Sequence, residues 1–167
     1  MIKIENSIRV MAGVVALLIM APPSAVAQEK KHAAVAEVLK RAVAGKPHHL
    51  ILQVNVNDPA MMNLALNNAT NVAQYYEDRG EKATIEVVTF GPGLHMLRDD
   101  TSPVKARIKA ITESTPAIAF KACGNTQEKM HKAENKEVPL IPEAQVVKSG
   151  VVRVMELQER GWTYVKP

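Results

Sequence analysis

The single cysteine of this chain is the residue whose position says most about possible chemistry. Cys123 follows a run of apolar residues, 117–122, that is typical of a buried strand, and Asn125 or Thr126 downstream can cap a following helix. Free N–H groups and the positive end of the helix dipole at such a helix start stabilise a thiolate. The sequence therefore predicts a reactive thiol at Cys123; the alternative is a cysteine that only fills space beside the strand.

Two side chains are candidates to support that thiolate. Lys121 precedes Cys123 by two residues and shares its face if the strand continues, so its ammonium group can supply positive charge; an extension of Lys121 into solvent is the alternative. His95 follows the loop Gly91-Pro92-Gly93 and is a candidate thiolate partner, although a solvated loop histidine is the simpler interpretation.

Strands and helices alternate along the chain, which predicts an α/β domain with a mainly parallel sheet covered by helices on both faces. The predicted strands are residues 49–56, 83–90, 117–122, 143–147 and 162–165. The predicted helices are residues 31–44, 59–79, 94–97, 103–113, 126–134 and 150–160, with a charged tip at 98–100. Asp58 caps the second helix and Pro59 suits its first position.

Ligands of such sheets gather at the carboxyl ends of the strands. Three predicted strands end in loops that carry polar or small residues, and we expect these loops to form one ligand-binding rim beside Cys123. The candidate binding residues are Asn55, Gly91, Gly93, Gly124, Asn125 and Thr126. The glycine-rich loop has backbone N–H groups for an anion, but its proline removes one donor.

The first 27 residues have the pattern of a secretory signal peptide. Lys3 and Arg9 precede an apolar run of about a dozen residues, too short to span a bilayer, and Ala25 and Ala27 are small residues before a cleavage site at Gln28. The sequence thus predicts a signal peptide over 1–27, a helical segment over 28–47 and one domain over 48–167, located in the periplasm. An uncleaved anchor is the alternative.

Charge and motif content exclude several function classes. The net charge is +4, and basic residues alternate with acidic ones, as on solvated helix faces, so nucleic-acid binding is not expected. No dinucleotide, phosphate-loop or zinc pattern is present, and no cofactor is predicted. Met61 and Met62 diverge on a helix, and His48, His49 and His32 favour at most a weak metal site, so no metal ligands are assigned.

Three segments carry a resemblance to a known family: 90–94 (Phe-Gly-Pro-Gly-Leu), 122–126 (Ala-Cys-Gly-Asn-Thr) and 150–167. With these motifs the chain from about His48 onward resembles the DsrE/DsrF-like family, in particular its exported single-domain members. The resemblance implies a three-layer α/β/α domain with about five strands and homo-oligomers, often trimers or hexamers. Cytoplasmic members of the family carry sulfur as a cysteine persulfide, and Cys123 matches the sulfur-bearing position.

The resulting hypothesis is a periplasmic sulfur-handling protein that carries sulfane sulfur on Cys123 and acts as a carrier more than as a turnover enzyme. Its expected partners are further copies of itself and a sulfur donor or acceptor protein, with neither nucleic acid nor, after signal removal, a membrane. One alternative is a non-catalytic domain that binds a small ligand or partner through Asn55, Gly91, His95 and Cys123. A metal-handling protein that uses Cys123 with His95 or Met96 ranks lower.

Overall fold

The computed structural model describes residues 30–32, 34–35 and 47–167. The predicted signal peptide and most of the predicted segment 28–47 lie outside the described residues. Residues 30–32 and 34–35 are helical and exposed. Among the residues that are described, no helix combines the length and apolar character needed to cross a membrane.

Residues 48–167 form a five-stranded sheet with helices on both faces, which confirms the predicted three-layer α/β/α architecture. Every strand pairs in parallel, in the order β4-β3-β2-β1-β5. The strands are β1 (His48–Val54), β2 (Ala83–Thr89), β3 (Ile118–Cys123), β4 (Ala144–Val147) and β5 (Thr163–Val165). The helices are α1 (Pro59–Asp78), α2 (Lys105–Ser114), α3 (Gly124–Glu134) and α4 (Gly150–Glu159), and a 3-10 helix covers Gly91–Leu97.

The start of α1 follows the sequence rules. Asp58 has an extended backbone, and its Oδ1 accepts a hydrogen bond of 2.8 Å from the N–H of Ala60, while Pro59 occupies the first turn. Residues of α1 and α2 then pack on the side chains of Leu50, Leu52 and Val54 from β1 to form the larger core. Capping and apolar periodicity were therefore enough to predict this part of the fold.

The two faces of the sheet receive different helices because the chain reverses direction once. From β1 to β4 the strands are added outward in sequence, and right-handed crossovers in one direction place α1, α2 and α3 on the same face. The connection from β4 back to β5 runs the other way, so α4 packs on the opposite face. There Val154 and Leu157 contact Ile51 and Val88 in a smaller core.

Because of this reversal, the loops that follow two neighbouring strands, β3 and β4, lead to opposite faces of the sheet. The loop after β3 leads to α3 on one face, and the loop after β4 leads to α4 on the other. The crevice between two such loops is the topological switch point at which open α/β sheets bind ligands. Cys123, the last residue of β3, lies at this point.

Two local expectations are corrected. Neither Asn125 nor Thr126 caps α3: strand β3 extends one residue further than predicted, α3 begins at Gly124, and Cys123 itself occupies the cap position. In the charged tip at 98–100, Asp99 and Asp100 are exposed, but Arg98 is not. The Arg98 side chain is 1% exposed and forms paired hydrogen bonds with Asp100 and Glu134, because its position under α3 allows two carboxylates to neutralise it.

Candidate functional site

The thiol of Cys123 is almost enclosed and is surrounded by hydrogen-bond donors. The residue is 4% exposed and has no disulfide partner among the described residues. Burial disfavours the thiolate and is the largest single influence on the pKa of this thiol. The hydroxyl of Thr126 and the backbone N–H groups of Gly150, Thr126 and Asn125 together outweigh it, and they hold the pKa of Cys123 below the ordinary thiol value.

Thr126 links the thiol to the first residue of the 3-10 helix, Gly91. Its Oγ1 accepts a hydrogen bond of 3.0 Å from the N–H of Gly91, which leaves the hydroxyl hydrogen free to donate to Sγ of Cys123. The N–H of Asn125 is shared between the thiol and the carbonyl of Lys148, 3.1 Å away. The predicted residues Gly91, Asn125 and Thr126 are thus brought together at the cysteine.

A second helix start reaches the same sulfur from the opposite face of the sheet. Gly150 opens α4, and its backbone N–H is one of the donors that lower the pKa of the Cys123 thiol. A Cβ at this position would stand 2.8 Å from Cδ1 of Phe90 and 3.2 Å from Cβ of Cys123, so only glycine permits the approach. Two positive helix ends, those of α3 and α4, therefore meet at one thiol.

The remaining predicted rim residues shape the backbone around this point. A Cβ on Gly93 would lie 2.2 Å from the carbonyl oxygen of Val54, so the glycine lets the 3-10 helix touch the end of β1. Asn55 is half-buried, and its carbonyl oxygen would lie 3.8 Å from a Cβ on Gly91. Gly124 packs closely against β4: a Cβ there would lie 3.2 Å from Cγ1 of Val146.

Lys121 does lie on the same face as Cys123, but its charge is committed to other groups. Its Nζ donates to the side-chain oxygen of Gln145 and lies 3.9 Å from Oε1 of Glu86. Glu86, a buried carboxylate on β2, also accepts two hydrogen bonds from Arg153. The lysine is therefore one of two cations that share the buried carboxylate of Glu86.

His95 has a hydrogen-bond partner of its own, and its role as a thiolate partner stays a prediction. Its Nδ1 lies 2.8 Å from Oγ1 of Thr101, and the imidazole is not among the groups that hydrogen-bond to Cys123. His48 and His49, which were considered as metal ligands from sequence, lie at the amino end of β1. His48 bonds to Glu81 at 2.7 Å and stacks on Tyr76, and His49 stacks on the Trp162 ring.

Two surface grooves were not anticipated. One, of about 570 Å³, borders the thiol site and is lined by Asn125, Val147, Lys148, Ser149, Val152, Arg153 and Glu156. Another, of about 370 Å³, lies at the amino end of the sheet beside His48, Tyr75 and Tyr76. Within the described part of the chain, no three histidine, cysteine or acidic side chains are grouped closely enough to hold a metal ion.

Sequence reasoning missed Gly150 and the Glu86–Arg153 pair. A signal for Gly150 was present: it follows a predicted strand and opens a predicted helix, the same pattern that singled out Cys123. The pairing of Glu86 with Arg153 joins residues 67 positions apart, and neither position carries a local pattern.

Comparison with known proteins supports the fold of this chain but does not indicate its function. No protein-family model matches the chain, and no curated protein matches it. Among solved structures, the chain is similar to the protein of unknown function MTH1491 from Methanobacterium thermoautotrophicum, with 26% sequence identity and a TM-score of 0.61. The match covers 72% of this chain and 99% of that chain. The chain therefore shares the architecture of that protein, and its function has to be inferred from the geometry around Cys123.

Proposed function

We propose that this protein carries sulfane sulfur on Cys123. The supporting observation is the meeting of two helix N-termini at Sγ, with the Thr126 hydroxyl as a further donor. Such donors favour the thiolate, which is the nucleophilic form of cysteine. No general acid or base contacts the sulfur among the groups that hydrogen-bond to it, so the site suits a carrier better than a turnover enzyme.

The transfer needs no cofactor. The thiolate of Cys123 attacks the outer sulfur of a persulfide or polysulfide, a new S–S bond forms at Sγ, and the S–S bond of the donor breaks. The donor leaves as a thiolate that retains the electron pair of the broken bond. Attack by an acceptor thiolate on the outer sulfur of the Cys123 persulfide reverses these roles and regenerates the Cys123 thiolate.

The near-complete burial of Cys123 favours a second candidate, a binding domain whose cysteine is only a packed side chain. Mass spectrometry of the intact protein after polysulfide treatment distinguishes the two. The carrier gains the mass of one or more sulfur atoms, dithiothreitol removes them, and Cys123→Ser gains none. A native thiol that resists both polysulfide and iodoacetamide until the protein is unfolded would exclude the carrier and support the binding domain.

The proposal includes self-association. Three apolar side chains are about half exposed on neighbouring positions of α4: Val151, Val152 and Met155. This apolar patch lies next to the groove that borders Cys123. Contiguous apolar surface on a soluble protein is typical of an interaction site, and closed homo-oligomers bury such surface symmetrically. We expect a small homo-oligomer, a trimer or hexamer.

The proposed location is the periplasm, based on the amino-acid pattern of residues 1–27 alone. A periplasmic carrier would exchange sulfur with small sulfur compounds or with an exported donor or acceptor protein. A lone cysteine suits this role because no second thiol in the chain competes for the carried sulfur.

A further inference from the structure

Arg153 ties the first turn of α4 to the sheet. Its Nε and Nη2 donate to Oε2 and Oε1 of Glu86 at 2.9 and 2.5 Å. Glu86 projects from β2 and is 6% exposed, so this ion pair is largely withdrawn from water. Two parallel N–H···O bonds set both the distance and the orientation of the guanidinium group, which a single contact would not do.

The same turn lies against the cysteine: a Cβ on Gly150 would stand 3.2 Å from Cβ of Cys123, and the Gly150 N–H is among the donors that lower the thiol pKa. The N–H of Arg153 donates to the carbonyl of Ser149 at 3.0 Å, the first backbone hydrogen bond of α4, and Gly150 lies inside the turn that this bond closes. We propose that the Glu86–Arg153 pair is the positioning element that holds the N-terminus of α4 against Sγ of Cys123. This proposal concerns the pKa of the Cys123 thiol. It depends on the proposed function only because that function makes Cys123 the reacting group.

If the Glu86–Arg153 pair influenced the thiol only through its charges, Glu86→Gln would shift the thiol pKa in the opposite direction. Glu86 is shared by Arg153 and by Lys121, whose Nζ is 3.9 Å from Oε1; Lys148 and Glu156 are the other charged groups of the adjoining groove. Replacing Glu86 with glutamine loosens the turn and should raise the thiol pKa if the pair positions α4. The same replacement leaves two cations without their acid and should lower the thiol pKa if only charge matters.

The test is a titration of the Cys123 thiolate by its ultraviolet absorbance, with Cys123→Ser as the blank. Arg153→Met should raise the thiol pKa by about one unit, a tenfold fall in the thiolate-to-thiol ratio, because the Gly150 donor is no longer held in place. Glu86→Gln should raise it by a smaller amount, and Arg153→Lys should fall between wild type and Arg153→Met. Arg107→Met is the matched control, since Arg107 joins α2 to α1 through Asn63 and Asn67 on the other face of the sheet.

Three outcomes would overturn the inference: a lower thiol pKa in Glu86→Gln, an unchanged one in both Glu86→Gln and Arg153→Met, or an equal rise in Arg107→Met. If Arg153→Met does not fold, Glu86→Gln and Arg153→Lys decide the question by the sign of their shifts. Failure of the wild-type protein to accept sulfur would contradict the carrier proposal, but the thiol titrations would still decide the role of the pair.

Discussion

Gly150 lies against Cys123 across the crevice where the helices after β3 and β4 diverge to opposite faces of the sheet: a Cβ on Gly150 would stand 3.2 Å from Cβ of Cys123. A methyl group at residue 150 would also collide with the Phe90 side chain, 2.8 Å from its Cδ1. The close packing of the start of α4 against Phe90 and Cys123 therefore favours glycine at this position.

We predict that Gly150→Ala displaces the start of α4 and weakens the Gly150–Cys123 hydrogen bond. Overpacking of this kind costs about 1–3 kcal/mol of unfolding free energy. The thiol pKa should rise as well. Gly80→Ala is the control, because Gly80 has a φ of +67° and no atom within 4 Å of an added Cβ, so that change strains the backbone at a distance from the thiol. Denaturant unfolding and thiolate titration measure both effects; a normal thiol pKa in Gly150→Ala would contradict the prediction.

Thr126→Val should raise the thiol pKa and destabilise the domain. The variant keeps the shape of the side chain, but it removes the donor to Sγ and the acceptor for the N–H of Gly91. An unpaired buried N–H costs about 1–3 kcal/mol. Thr126→Ser keeps the hydroxyl and should restore most of both properties. If serine and valine behave alike, the hydroxyl does not stabilise the thiolate.

Glu134→Gln should lower stability near neutral pH but not in strong acid. Hydrogen bonding to Arg98 lowers the pKa of Glu134 to about 2, against the opposing effect of burial. A carboxyl with a depressed folded-state pKa contributes stability that is present above its unfolded pKa and is lost as the pH falls through about 2. Denaturant unfolding from neutral pH to pH about 2 should therefore show wild type and variant converging at the acid end. Glu128→Gln, which removes an exposed pair with Lys132 in the same helix, should have little effect at any pH.

Met155→Glu should convert the expected homo-oligomer into a monomer. Met155 is 55% exposed at the apolar patch, and a carboxylate there would be buried without a partner in any interface formed by that patch. Light scattering at micromolar concentration measures the mass of wild type and variant. Tyr75→Glu, at an exposed site on α1, is the control and should leave the mass unchanged. A wild-type monomer would contradict the prediction and weaken the carrier proposal with it.

If the proposed export is correct, the mature protein should begin at Gln28. Ala25 and Ala27 occupy the positions at which a signal peptidase reads small residues, so cleavage follows Ala27. N-terminal sequencing of protein recovered from the periplasmic fraction measures this directly. Retention of residues 1–27 in a membrane fraction would indicate an anchored protein instead.

Much of the fold was predictable from local patterns in the sequence. The cap at Asp58 with Pro59, the apolar run of β1 and the alternation of strands with helices were each sufficient to indicate an element, because each depends on neighbouring residues. The same patterns placed Cys123 at the carboxyl end of a strand. A parallel sheet then requires that Asn55, the Gly91–Gly93 loop and Cys123 lie along one edge, so the rim itself followed from chain order.

Which groups meet the thiol depended on the tertiary structure. The order of the strands determines that the crossover after β4 reverses direction, and only this reversal brings Gly150 to Cys123 from the opposite face. Lys121 and His95 were candidates to support the thiolate, but Lys121 forms an ion pair with Glu86 and His95 hydrogen-bonds to Thr101, and neither contact could be read from spacing. Arg98 and Arg153 likewise pair with carboxylates that are distant in sequence, those of Glu134 and Glu86. Local sequence determined where the cysteine stands, whereas long-range packing decided which donors surround it, because hydrogen bonds and buried charges depend on positions in space and not on separation along the chain.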